Sequence, residues 1–302
     1  MSPSHTPCPE HRAELTRRRL LAGAGAGVAL ALGAGGAFAQ REGVQVGPRS
    51  RFNSLVSAEE IERQSAQAYH ELLQEARSKR LLAEPVHPQL IRLVAISMRL
   101  RPFAAMWNER ARGWQWEVNL IGSPQVNAFC MPGGKIAFYW GILSKLKLSD
   151  DEVAMVMGHE MTHALREHGR EQMGKALATR GAIGLLAGIF GWGMTGRQVA
   201  GAGGRLLSLK YSRDDETEAD LIGLELAARA GYEPRAALSL WQKMEAATSG
   251  APPAFLSDHP SNPDRLRQIA ANIPLVQALY ERAPKPDQRF APPGGGVSTR
   301  HG

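Results

Sequence analysis

The chain has 302 residues, with 36 basic and 29 acidic side chains and a net charge of +7. Only Cys130 of its two cysteines lies beyond residue 39, so a disulfide framework is excluded and stability must come from packing and metal. The basic excess, without a basic-aromatic array, is weak support for anionic surfaces and argues against a nucleic-acid partner.

Residues 1–39 read as a leader. Thr16-Arg17-Arg18-Arg19-Leu20-Leu21 resembles a twin-arginine signal and precedes an apolar Gly/Ala-rich stretch. At about 17 residues that stretch is short for a membrane span of roughly 20. Ala37-Phe38-Ala39 is a small-residue cleavage site, which predicts export to the periplasm and a mature chain beginning at Gln40. Residues 40–56 look extended and loosely ordered. Ser57-Ala58-Glu59-Glu60 opens a long helix, and a second runs from Pro88 to Leu100. Alternation at Trp114, Trp116, Val118 and Leu120 predicts a strand reaching Ile121. Asn127 to Met131, the turn Pro132-Gly133-Gly134 and Lys135 to Trp140 predict a hairpin. Helices then dominate to Arg282, and from Ala283 Pro, Gly and polar residues predict a disordered tail, 283–302. The folded domain is therefore 40–282.

Ser149-Asp150-Asp151-Glu152 is a capping box whose three carboxylates also suit the positive end of a helix dipole. Val153, Val156, Met157 and Ala164 recur at three- and four-residue steps as a core-facing stripe, and Gly169 is the first stop. Inside this helix lies His159-Glu160-Met161-Thr162-His163. Histidines four apart sit about 40° apart around a helix, so both can reach one metal ion. Glu160 beside them can take a proton from a water that the metal acidifies. His168 on a continued helix points about 140° away and reads as a solvated or hydrogen-bonded histidine rather than a ligand.

Residues 181–194 are apolar throughout but too short to span a bilayer, and could be core, a lid or a membrane-contacting surface. A second helix opens at Tyr211-Ser212-Arg213-Asp214 and ends at Gly231. Glu216 and Asp220, four apart, share a face beside Ala219, Ile222, Gly223 and Leu226. The pattern suggests Glu216 as third ligand and Asp220 as acceptor for a ligand histidine N–H, with Asp214, Asp215 and Glu218 as solvated charges.

With these motifs the chain resembles the zinc metallopeptidase family that includes the CAAX prenyl proteases, HtpX and the BepA-type proteases. That family pairs H-E-x-x-H with a later E-x-x-x-D, here Glu216 to Asp220. Asn127-Ala128-Phe129-Cys130-Met131-Pro132-Gly133-Gly134 is similar to its N-A-F-x-x-P-G-G segment, and His259-Pro260 through Arg265 to its H-P-x-x-x-x-R. The resemblance implies a mostly helical α+β, zincin-like domain with a small sheet beside the H-E-x-x-H helix. It implies one Zn2+ held by His159, His163 and Glu216, Glu160 as general base, and Asp220 orienting the site. An edge formed by Asn127, Ala128 and Phe129 could hold an extended peptide by main-chain hydrogen bonds. His259 could donate to an oxyanion or fill the zinc's open position and hold the enzyme off. Arg265 could position that loop, bind substrate or form a structural salt bridge.

The expected function is zinc endopeptidase action on misfolded or unassembled envelope polypeptides, with a membrane surface as a further contact. The rival is a chaperone-like binding module whose zinc site is closed and structural.

Overall fold

The computed structural model describes residues 41–180, 211–247, 254–259 and 264–294. The leader, the apolar segment 181–194 and residues 260–263 and 295–302 lie outside the described residues. Helix α1 (Ala58–Ser78) starts on Ser57, whose hydroxyl accepts from the Glu60 N–H, and α2 (Pro88–Leu100) starts on proline, whose missing N–H costs nothing there. Strands β1 (Glu117–Ile121), β2 (Ala128–Met131) and β3 (Lys135–Tyr139) form one sheet in the order β1-β3-β2. β2 and β3 are the expected antiparallel hairpin, turned by Gly133 and Gly134 at φ of 85° and 78°. β1 runs parallel to β3. Helices α3 (Trp140–Leu146), α4 (Asp150–Leu165) and α5 (His168–Arg180) follow, then α6 (Arg213–Arg229), α7 (Ala236–Ala246), α8 (Ala254–Asp258) and α9 (Arg265–Arg282). The fold is the mostly helical α+β arrangement expected.

Helix α4 carries the H-E-x-x-H pentapeptide through the middle of the core. Its capping box is present: the Ser149 hydroxyl accepts from Glu152 N–H, and the Glu152 carboxylate accepts from Ser149 N–H. Every residue from Glu152 to Leu165 is buried, so the helix is enclosed on all sides rather than along one stripe. α6 packs along it most extensively, with β2, α7 and α2 on its other faces. The α4–α6 contact is backbone on backbone. A β-carbon on Gly158 would lie 2.8 Å from the Gly223 carbonyl oxygen, and one on Gly223 only 2.7 Å from the His159 amide nitrogen.

Both ends of the described domain are tied down. Val44 is fully buried and its N–H donates to Glu225, while Arg166 donates to the Gly47 carbonyl, so residues 42–50 are not the loose segment expected. Residues 283–294 have no regular structure, yet they too depart from the expected disordered tail. Phe290 N–H donates to Asp150 Oδ2 at 2.8 Å, Arg289 pairs with Asp151 at 2.9 Å, and Gln89 donates to the Ala291 carbonyl. Arg92, wholly buried, donates to Asp150 Oδ1 at 2.6 Å from the other side. The charge on α4's first turn thus recruits the tail. Among the described residues no helix is long and apolar enough to cross a membrane.

Gly223→Ala is expected to lower unfolding stability by about 1–3 kcal/mol, because overpacking at a backbone contact exceeds the gain of about 1 kcal/mol in helix propensity. Urea denaturation checks it; an unchanged or raised stability would show that the two helices are free to separate.

Candidate metal centre

Four side chains from three places in the chain converge at the middle of α4. His159 and His163 come from α4, Glu216 from the first turn of α6, and His259 from just beyond α8. Each offers one ligating atom, and these atoms all lie within 4.8 Å of one another. His159 Nε2 is 3.1 Å from His163 Nε2 and 3.2 Å from His259 Nδ1. Glu216 places Oε1 3.0 Å from His259 Nδ1 and 3.5 Å from His163 Nε2, and Oε2 3.5 Å from His159 Nε2.

These distances suit a metal. Tetrahedral zinc with bonds of about 2.0–2.1 Å holds its ligand atoms about 3.3–3.4 Å apart. The hydrogen-bond accounting agrees. His159 Nδ1 lies 3.0 Å from Asp220 Oδ1, so it carries the proton and leaves a lone pair on Nε2. A second imidazole nitrogen and a carboxylate oxygen face that lone pair, and a cation is what such a set of acceptors is built to hold. One N-terminal cap and one set of carboxylates build the α6 side. The Ser212 hydroxyl accepts from Asp215 N–H and Asp215 returns the bond, a second capping box, which leaves the adjacent Glu216 turned inward. Asp215 is therefore not the solvated charge expected, whereas Asp214 is exposed.

Arg265, expected to position a loop, bind substrate or make a salt bridge, makes the salt bridge. It is 4% exposed, donates to both Asp220 oxygens at 2.6 and 2.9 Å and to Glu216 Oε2 at 3.1 Å, and lies over the Trp241 ring. A buried guanidinium thus neutralises the two carboxylates and orients both. On the other ligand His163 stacks on Tyr211 with ring centroids 3.8 Å apart, and its Nδ1 lies 2.9 Å from His168 Nδ1. The expected 140° separation of His168 does not hold, because α4 ends at Leu165 and Glu167 takes a left-handed φ of 61°. That break swings His168 back under His163, and Gly169 falls in the next helix. Glu218 is also not solvated: it accepts from Arg166 and His168.

Glu160 is 2% exposed, and its Oε1 has no hydrogen-bond partner among the described residues. His259 Nε2 stands 3.5 Å from that atom. Burial pushes the Glu160 carboxyl up to about 8, opposed by His259 and helped by Glu216 and Asp258. Burial likewise drives the His163 imidazole well below its usual value. Glu216 goes the other way: His159 and His259 overcome its burial and hold the carboxyl far below the carboxylate range. Although burial lowers it, the His159 imidazole is held above its usual value by Asp220 and Glu216; a cation would displace that proton, whereas His163 and Glu216 are already shifted in the direction a cation requires.

The predicted substrate edge is the outer edge of the sheet, as expected, but it is covered. Phe255 N–H of α8 donates to the Val126 carbonyl at 3.0 Å, and Asn127 Nδ2 donates to Asp258 Oδ2 at 3.3 Å. Asn127, Ala128 and Phe129 are all buried, Phe129 against Tyr69 and Tyr139. Part of their main chain is engaged as well, since the Asn127 carbonyl accepts from Tyr139 N–H and the Ala128 N–H donates to Asn127 Oδ1. Sequence reasoning missed Tyr211, Trp241, Phe255 and Asp258, which wall the site; no periodicity distinguishes them from ordinary core.

Comparison with known proteins follows the same residues. The model described as Peptidase family M48 matches residues 95–273. Mitochondrial metalloendopeptidase OMA1 of Schizosaccharomyces pombe is 34% identical over 81% of this chain and 70% of its own length. The protein of the same name in Arabidopsis thaliana is 38% identical over 55% of this chain, which spans about a third of that relative (33%). Metalloprotease LoiP of Escherichia coli is 29% identical over 57% of this chain and 68% of its own length. These matches overturn the expected periplasmic location: relatives from yeast, plant and mammals are named as mitochondrial and point there instead.

Chelation is expected to lower the melting temperature, and zinc at a thousandfold excess over Kd to restore about 4 kcal/mol, or about 8–16 °C for a domain of this size. Calorimetry with and without zinc measures it; no zinc-dependent shift would remove the metal from the site.

Proposed function

From the premise that the chain belongs to Peptidase family M48 and is a zinc metalloendopeptidase, we propose that it hydrolyses peptide bonds in misfolded or unassembled proteins. The observation that carries this reading is the Glu160 carboxylate, whose buried Oε1 accepts no hydrogen bond among the described residues, beside the convergent His159, His163 and Glu216. In it, those three side chains hold one Zn2+. Zinc, when bound, supplies Lewis acidity toward the scissile carbonyl and toward water.

The remaining work belongs to the chain. Glu160 accepts the proton of the attacking water and passes it to the leaving amine. A divalent cation beside it lowers its elevated pKa, so that the carboxylate form is available near neutral pH. Asp220 holds the His159 N–H and so fixes the ring's tautomer and direction. Arg265 holds the Asp220 and Glu216 carboxylates in place. The main chain of β2 aligns an extended substrate by strand addition, which favours unfolded polypeptide over compact protein.

His259 takes the inhibitory one of its two possible roles. Its Nδ1 sits among the ligating atoms, while α8 occupies the β2 edge through Phe255 and Asp258. One short segment therefore fills the fourth position and the substrate groove together, and the described arrangement is a closed resting form. The chaperone-like rival reads the same four-residue cluster as permanent.

Casein cleavage and zinc content of three purified proteins test the reading. Glu160→Gln should keep about one zinc and lose cleavage by about 10²–10⁴-fold, since an amide cannot take the proton. His259→Ala should keep zinc and cleave faster than the parent protein. A drop of about 10²–10³-fold in His259→Ala would instead make it an oxyanion donor. Full activity in Glu160→Gln would sink the mechanism, and an inert His259→Ala protein with lost zinc would favour the structural site.

A further inference from the structure

The two histidines of the centre are supported differently. His159 Nδ1 reaches a carboxylate directly, Asp220, which Arg265 holds. His163 Nδ1 reaches no carboxylate; it reaches His168 Nδ1 at 2.9 Å, and His168 Nε2 reaches Glu218 Oε2 at 2.8 Å. Arg166 donates to the same Glu218 oxygen at 2.8 Å, and its other arm donates to the Gly47 carbonyl. His163 and His168 are 2% and 1% exposed, so water does not substitute for either contact.

Hydrogen positions follow from counting. One proton, neither none nor two, fits between ring nitrogens 2.9 Å apart. If His163 presents its Nε2 lone pair to a cation, its proton is on Nδ1 and must be donated to a lone pair on His168 Nδ1. The proton of neutral His168 is then on Nε2, aimed at Glu218. Every member has one role, and the direction of the whole chain is set by the carboxylate at its end. Resting on the reading of the centre above, we infer that His168 and Glu218 are positioning residues for His163, a two-link relay that fixes its tautomer and ring orientation for metal. The break at Glu167 is what makes the relay possible, since a continuous helix would carry His168 away.

The relay also links distant parts of the chain. Glu218 lies two residues before Asp220 on α6, about 200° around the helix, so carboxylates on two sides of one helix support the two histidines of another. Gly47, near the start of the folded domain, anchors Arg166 and through it Glu218.

Zinc affinity of the chelator-stripped full chain, measured by competition with a chromogenic chelator, tests the relay without relying on turnover. His168→Ala should bind zinc about 10–100-fold more weakly. His168→Asn should stay within about threefold of the parent, because the Asn Oδ1 stands where His Nδ1 stood and accepts the same proton. Glu218→Ala should weaken zinc binding, while Asp214→Ala, an exposed carboxylate on the same helix, should not. The double variant His168→Ala/Glu218→Ala should be no worse than His168→Ala alone. Equal affinity in His168→Ala, or an Asn variant as weak as the Ala one, would overturn the relay and leave the centre standing. If His168→Ala does not fold, the Asn and Glu218 variants decide, and unaltered affinity in Glu218→Ala overturns it. A parent protein that binds no zinc would overturn the centre and the relay with it.

Discussion

Everything at the centre depends on how closely two helices approach. The ligands on α4 and α6 meet because Gly158 and Gly223 face each other with no side chain between them. A methyl group in place of either hydrogen would meet facing backbone at under 3 Å, so the two helices would have to move apart. Interhelical distance is ordinarily set by the side chains at the crossing. Here it is set by their absence, one residue before the first histidine, one turn beyond Asp220 and two beyond Glu216.

Around that contact the protein solves a costly problem. It buries four histidines, Glu160, Glu216 and Arg265 in a water-poor core, with Asp220 half-buried beside them, where each unpaired charge is penalised by several kcal/mol. The solution is a chain of partners spreading outward: Arg265 on Asp220 and Glu216, Trp241 beneath Arg265, His168 and Glu218 behind His163. Glu160 Oε1, wholly buried, accepts no hydrogen bond among the described residues. Its exemption is the functional signal, since a base already engaged would have no lone pair free for a proton.

Much of this was legible in the residues. The H-E-x-x-H spacing, the capping box at Ser149 and the Glu216/Asp220 pair are local patterns that a helix converts directly into geometry. The hairpin was legible for the same reason, being turned by two adjacent glycines. What failed was whatever assumed a continuous element or a solvated charge. His168 was placed wrongly because one residue, Glu167, adopts a left-handed conformation that no local pattern announces. Glu218 read as a surface acid because its partners are dozens of residues away, whereas the Ser212 capping box that engages Asp215 is local and was overlooked. The parallel pairing of β1 with β3 and the cover that α8 lays over β2 are equally non-local. The cellular address went astray for a different reason, since a targeting segment is read by a receptor and not by its own packing.

The return of residues 283–294 to the start of α4 has a consequence in time. Asp150 and Phe290 are 140 positions apart, and Arg265 must reach back across 45 to grip Asp220. A nascent chain emerging from the ribosome presents its H-E-x-x-H helix long before the segments that steady it have been translated. Contacts of such span are late ones. The supports of the site are therefore completed only after residues dozens of positions beyond it have been made.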